Sequence, residues 1–147
     1  MKTTLDIQGK ILLIDDSRNG LLVRTALLED MGCAVEIANN GEEGLKLFQN
    51  QRFDVVVTDY RMPGMNGLEV IGRIRQIDPH ARIILLSKMA EPLGLNEENT
   101  GADAVVAKSF NEVSLLPRTV KRLLNRPVRK PMGSHRQVAL KAGVVAR

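Results

Sequence analysis

Five short apolar runs, "KILLID", "AVEIA", "DVVVTD", "RIILLS" and "DAVVAK", recur along the chain with a helix-length amphipathic stretch between successive runs. Runs so uniformly apolar belong to strands covered on both faces, and connections long enough for a helix make the strands parallel. The expected architecture is α/β: a doubly wound five-stranded parallel sheet with helices on both faces. A chain of 147 residues with 44% hydrophobic content fills one such core.

Several classes of protein are set aside at once. No apolar run approaches the roughly 18–20 residues that span a bilayer, and the opening "MKTTLDIQGK" lacks the apolar core of a secretion signal. No membrane association and a cytoplasmic location are therefore expected. The single cysteine, Cys33, has no partner for a disulfide or a CxxC site and reads as a small filler near a strand start. The net charge of +4 conceals a division. Up to Pro117, 12 basic residues face all 17 acidic ones, whereas from Arg118 onward 9 basic residues face none. The expected organisation is a domain over residues 1–125 and a basic, solvated tail over residues 126–147.

The stretches between the runs are read as helices from their 3.6-residue periodicity. The first, about Asn19 to Met31, is expected to turn Leu22, Ala26 and either Leu27 or Met31 inward and to end at Gly32. The second, about Gly41 to Asn50, places Leu45 and Phe48 inward, and the third, about Gly67 to Ile77, does so with Leu68, Ile71, Ile74 and Ile77. The fourth, within Ala90 to Thr100, is weakened by Pro92, Gly94, Asn96 and Asn99 and is expected to be short or irregular. The fifth, about Asn111 to Asn125, is expected to bury Val113, Leu116, Val120, Leu123 and Leu124 and to kink at Pro117 unless it starts later.

Polar residues close four of the five strands: Asp15 and Asp16 the first, Asp59 the third, Ser87 the fourth and Lys108 the fifth. In an open parallel sheet all carboxyl ends lie on one edge, where ligands bind at the point of strand-order reversal. An order of 2-1-3-4-5 makes the ends of strands 1, 3, 4 and 5 neighbours. Three crowded carboxylates repel and call for a cation, and an all-oxygen ligand set points to a hard ion such as Mg²⁺. Lys108 suits pairing with Asp59 or with an anionic group attached to it. These are the requirements of phosphoryl transfer to a carboxylate, with Asp59 as the nucleophile.

The segments "ILLIDDS", "VVVTDYRMPGMNG", "IILLS" and "GADAVVAK", with their spacings, resemble the receiver domain of two-component response regulators, from Lys10 to about Leu124. The resemblance implies a flavodoxin-like fold and an Asp59 that accepts phosphoryl from a histidine kinase or phosphotransfer protein. It further implies Mg²⁺ held by Asp15, Asp16, Asp59 and the backbone carbonyl of Arg61, with Ser87 and Lys108 on the phosphoryl oxygens. A signalling domain that assists its own phosphorylation and dephosphorylation, rather than an enzyme, is expected. Its output would pass to a downstream protein target, as a monomer or weak dimer.

Three positions depart from the family pattern: Val105 where an aromatic residue is usual, Ser109 where a proline follows the lysine, and Lys88 where the side chain is usually small. They suggest a pseudo-receiver as one alternative. The basic tail suggests another, binding to nucleic acid or a different acidic partner, although it carries no aromatic residue to stack on bases. A haloacid-dehalogenase-type phosphatase would place a second acid two residues after its nucleophile, where this chain has Arg61.

Overall fold

The computed structural model describes residues 9–88 and 93–126. Its strands are β1 (Gly9–Ile14), β2 (Cys33–Ala38), β3 (Val55–Asp59), β4 (Ile83–Ser87) and β5 (Ala104–Ala107). They form one sheet in the order β2-β1-β3-β4-β5, all pairs parallel, as expected. The helices are α1 (Arg18–Asp30), α2 (Gly41–Asn50), α3 (Gly67–Ile77), α4 (Glu97–Thr100) and α5 (Glu112–Leu124).

Strand residues alternate between two apolar layers because successive side chains leave opposite faces of a strand. Ile11, Leu13, Val55, Val57, Ile84 and Leu86 pack with Leu21 and Leu28 of α1 and Leu116, Val120 and Leu123 of α5. Leu12, Ile14, Val56, Ile83 and Leu85 pack on the other face with Leu45 of α2 and Val70, Ile71 and Ile74 of α3. Central strands are covered on both sides. The edge strand β2 is not, since Ala34 and Ile37 are exposed, and this corrects the expectation for that run. Cys33 is buried at the start of β2.

Local chemistry starts the helices. Ser17, Asn40 and Asn66 each accept the backbone N–H three residues on, which satisfies an otherwise orphaned donor. Asn66 and Glu69 complete a reciprocal capping box. Residues 97–100 form one short helical turn ending at Gly101, whose φ of 81° a side chain would resist. This is the irregular fourth helix anticipated, although its expected beginning at residues 90–92 lies outside the described residues.

Three inward faces differ from expectation. In α1 it is Leu21, Arg24 and Leu28 that turn inward, while Leu22 is 63% exposed and Ala26 is exposed too. Paired leucines at 21–22 and 27–28 offer two apolar stripes, and the one chosen carries Arg24 to acidic partners in the interior. In α3, Ile77 is exposed at the last position of the helix. In α5, Val113 is 57% exposed because Glu112 takes the inward place at this end, beyond the last residue of β5. Pro117 lies inside α5. Arg126 is tied to the domain through its carbonyl, which accepts a hydrogen bond from Arg82 at 2.6 Å. The rest of the expected tail, residues 127–147, lies outside the described residues. Among the described residues no helix is long and apolar enough to cross a membrane.

Candidate functional site

Parallel register carries the strand-end residues to one edge. Ile14 pairs with Thr58, Asp59 with Leu86 and Ser87 with Ala107, so Asp15, Asp59, Ser87 and Lys108 end neighbouring strands. The ladder continues one residue further: Asp15 N–H donates to Ala38 at 3.1 Å, and Lys108 N–H to Ser87 at 3.0 Å. These backbone bonds fix where the polar side chains begin.

Asp15, Asp16 and Asp59 each offer one carboxylate oxygen, and the three oxygens lie within 4.8 Å of one another. Asp15 is fully buried, Asp59 nearly so, and Asp16 exposed. Lys108 Nζ stands 2.7 Å from Asp59 Oδ1. A cavity of about 500 Å³ opens above them, lined by Asp16, Asp59, Ser87 and Lys108, with Arg61 and Lys88 exposed at its rim. The six residues singled out from the sequence therefore meet at one place.

Burial pushes the Asp59 carboxyl above its ordinary range. Lys108 draws it back down by hydrogen bond and charge, the neighbouring charge of Asp15 raises it again, and Arg24 lowers it. The donor set is all oxygen, clustered and anionic, and it fits a hard divalent cation such as Mg²⁺. Such a carboxylate, backed by an ammonium and a buried hydroxyl, is equipped to accept a phosphoryl group.

Two residues of the cavity escaped the sequence reading. Arg24 of α1 donates from Nη1 to Asp15 Oδ2 at 2.6 Å, and its Nε donates to Glu112 at the start of α5. An arginine and a glutamate in amphipathic helices carry no sequence signal of burial. The only hint is the ambiguity of the leucine pairs that flank Arg24. Opposing the cost of its burial, the hydrogen bond and charge of Glu112 and the charges of Asp15 and Asp59 leave the Arg24 guanidinium above its ordinary value. No cis peptide bond occurs among the described residues.

A doubly wound sheet whose carboxyl edge gathers three acids, a hydroxyl and a lysine defines the receiver class of signalling domain. Residues 11–119 match the response regulator receiver domain, and the chain belongs to that family. It is 34% identical over 117 residues to a gliding motility regulatory protein of Myxococcus xanthus, covering 78% of this chain and 15% of that protein. It spans about half the length, or less, of the curated relatives it matches. Among solved structures, response regulator TrrA of Thermotoga maritima in complex with Mg²⁺-BeF is 38% identical with a TM-score of 0.71, covering 78% of this chain and 97% of that one. A structure of histidine kinase ThkA in complex with the same TrrA matches at 39% identity and a TM-score of 0.71, over 79% of this chain and 98% of the matched chain.

Proposed function

We propose that the chain is a phosphoacceptor of a two-component relay in which Asp59 takes a phosphoryl group from the phosphohistidine of a kinase or phosphotransfer protein. One observation carries this reading. The three acidic oxygens of Asp15, Asp16 and Asp59 within 4.8 Å of one another and the Lys108–Asp59 pair at 2.7 Å come together beside an open cavity that Asp16, Asp59 and Lys108 line. Asp15, Asp16, Asp59 and the backbone carbonyl of Arg61 would hold Mg²⁺, which supplies charge neutralisation at the transferring group when bound.

The chain's own residues divide the remaining work. Lys108 holds Asp59 Oδ1 and leaves the other oxygen to attack phosphorus. A new O–P bond forms as the P–N bond to the donor imidazole breaks, and the imidazole leaves with the electron pair. Ser87 and Lys108 then donate to the phosphoryl oxygens. The same groups serve hydrolysis of the acyl phosphate, so the domain assists both its own loading and its own clearing. The structure of TrrA with ThkA supports a kinase as donor, and a TrrA that binds Mg²⁺-BeF supports the metal. A downstream protein partner and a cytoplasmic site of action complete the reading.

Incubation with acetyl phosphate and Mg²⁺, followed by mass spectrometry, tests it. One phosphoryl group on Asp59, absent from Asp59→Asn, is the expected result. A label elsewhere, or an undiminished label on the Asn variant, overturns the assignment.

A further inference from the structure

Arg24 and Glu112 have no part in the chemistry above, yet they stand in the wall of the same cavity. Arg24 Nη1 donates to Asp15 Oδ2 at 2.6 Å, and its Nε and Nη2 both donate to the Glu112 carboxylate, the latter at 3.3 Å. The Arg24 and Glu112 side chains are 9% and 12% exposed, and that of Asp15 only 1%. The result is a largely desolvated acid–arginine–acid bridge, in which loss of one charge leaves the others uncompensated. The guanidinium is thus fixed in place rather than free to swing into solvent.

Gly20 gives an independent sign that the fold is built around this bridge. A Cβ at Gly20 would lie 2.4 Å from Arg24 Nη1 and 2.6 Å from Asp15 Oδ2. Glycine inside a helix is unfavourable, and here it supplies the gap through which the bridge passes. The other Asp15 oxygen, Oδ1, accepts the Ser17 backbone N–H at 3.0 Å. Both oxygens of the buried acid are therefore engaged by the protein itself.

The acidic cluster consequently faces two resident cations, Lys108 against Asp59 and Arg24 against Asp15. We propose that Arg24, clamped by Glu112, is a positioning residue whose fixed charge competes with the divalent ion at Asp15 and thereby sets the metal affinity of the site. This rests on the reading that Asp15, Asp16 and Asp59 hold Mg²⁺. With two of three carboxylate charges already answered, the unmodified chain binds Mg²⁺ weakly. A phosphoryl group, or a mimic of it, adds the negative charge that tightens the metal, and by linkage the metal tightens the mimic equally. Glu112 offsets part of the Arg24 charge, so its removal acts in the opposite direction.

Calorimetric titration of Mg²⁺ into the metal-free full chain, with and without beryllofluoride, tests this, with circular dichroism to monitor folding. Arg24→Gln is expected to bind Mg²⁺ about tenfold more tightly, and Glu112→Gln about threefold more weakly. Arg24→Lys, which keeps the charge, should stay near the unaltered chain. A merely structural bridge would move both partners' variants in the same direction. That result, or an Arg24→Gln affinity that is unchanged or weaker, overturns the proposal. If Arg24→Gln does not fold, Glu112→Gln decides alone, and an unchanged or tighter affinity in it is equally fatal. Absence of Mg²⁺ binding by the unaltered chain under both conditions overturns the metal site itself and this inference with it. Binding by that chain without tightening in Arg24→Gln overturns the inference only.

Discussion

Lys108 Nζ lies 2.7 Å from Asp59 Oδ1, bridging the ends of β5 and β3 across β4. The pair holds one carboxylate oxygen and places a cation where phosphoryl oxygens would sit. Lys108→Met is expected to slow acetyl phosphate labelling of Asp59 by about 10²-fold, the usual cost of losing one charge-stabilising donor. Labelling time courses by mass spectrometry check this, and a rate within a factor of two of the unaltered chain refutes the role.

Asp59 also has a cost to the fold. Burial, the largest influence, raises its carboxyl above the ordinary value. A raised folded pKa means that the group's favourable contribution is present below its unfolded pKa and is lost as pH rises through the folded one. Ionised Asp59 therefore weakens the metal-free fold at neutral pH. Asp59→Asn should be more stable there by about 1 kcal/mol, a few degrees in Tm. The difference should close as the pH falls into the carboxylate range. Thermal melts in chelator across pH measure it; a less stable Asn variant at pH 7 would mean that the bond to Lys108 outweighs burial.

Two glycines of α3 give opposite expectations. A Cβ at Gly67 would stand 2.5 Å from the Asp59 carbonyl oxygen and 2.9 Å from Tyr60 Cα, whereas one at Gly72 meets nothing within 4 Å. Backbone atoms cannot step aside as a flexible side chain can. Gly67→Ala should cost about 2 kcal/mol or more and reduce Asp59 labelling. Gly72→Ala should add about 0.5–1 kcal/mol through helix propensity alone. Denaturant titrations of the two variants decide both.

A groove between α1 and α5 continues from the cavity, with exposed Val23 on one side and exposed Val113 on the other. A kinase that delivers phosphoryl to Asp59 must cover the cavity mouth, and these apolar side chains lie at its side. Val113→Asp is expected to slow transfer from the cognate kinase about tenfold while leaving acetyl phosphate labelling and stability unchanged. Equal slowing with both donors would place the effect on the chemistry rather than on docking.

Much of this arrangement follows from the chain alone. The five apolar runs are too short for helices and mostly rich in Val, Ile and Leu, so they pair as strands, and Asn40, Asn66 and Gly101 punctuate the helices by bonds or angles within a few residues. Asp15, Asp16, Asp59, Ser87 and Lys108 were legible as a site because parallel strands bring every carboxyl end to the same edge. What the tertiary structure alone decided are the choices that local pattern leaves degenerate. Leu21 and Leu22 are equal candidates for the inward face of α1, and so are Leu27 and Leu28. The choice falls to the stripe that delivers Arg24 to Asp15 and to Glu112, a partner 88 residues away. Val113 faces outward because its neighbour Glu112 takes the inward place against Arg24, and Ile77, the last residue of α3, is exposed as well. Periodicity measures how apolar a face is, but it cannot rank two equal stripes. Leu21 and Leu28 reach the core on the same side on which Arg24 meets Asp15 and Glu112, partners that adjoin it only once the chain has folded.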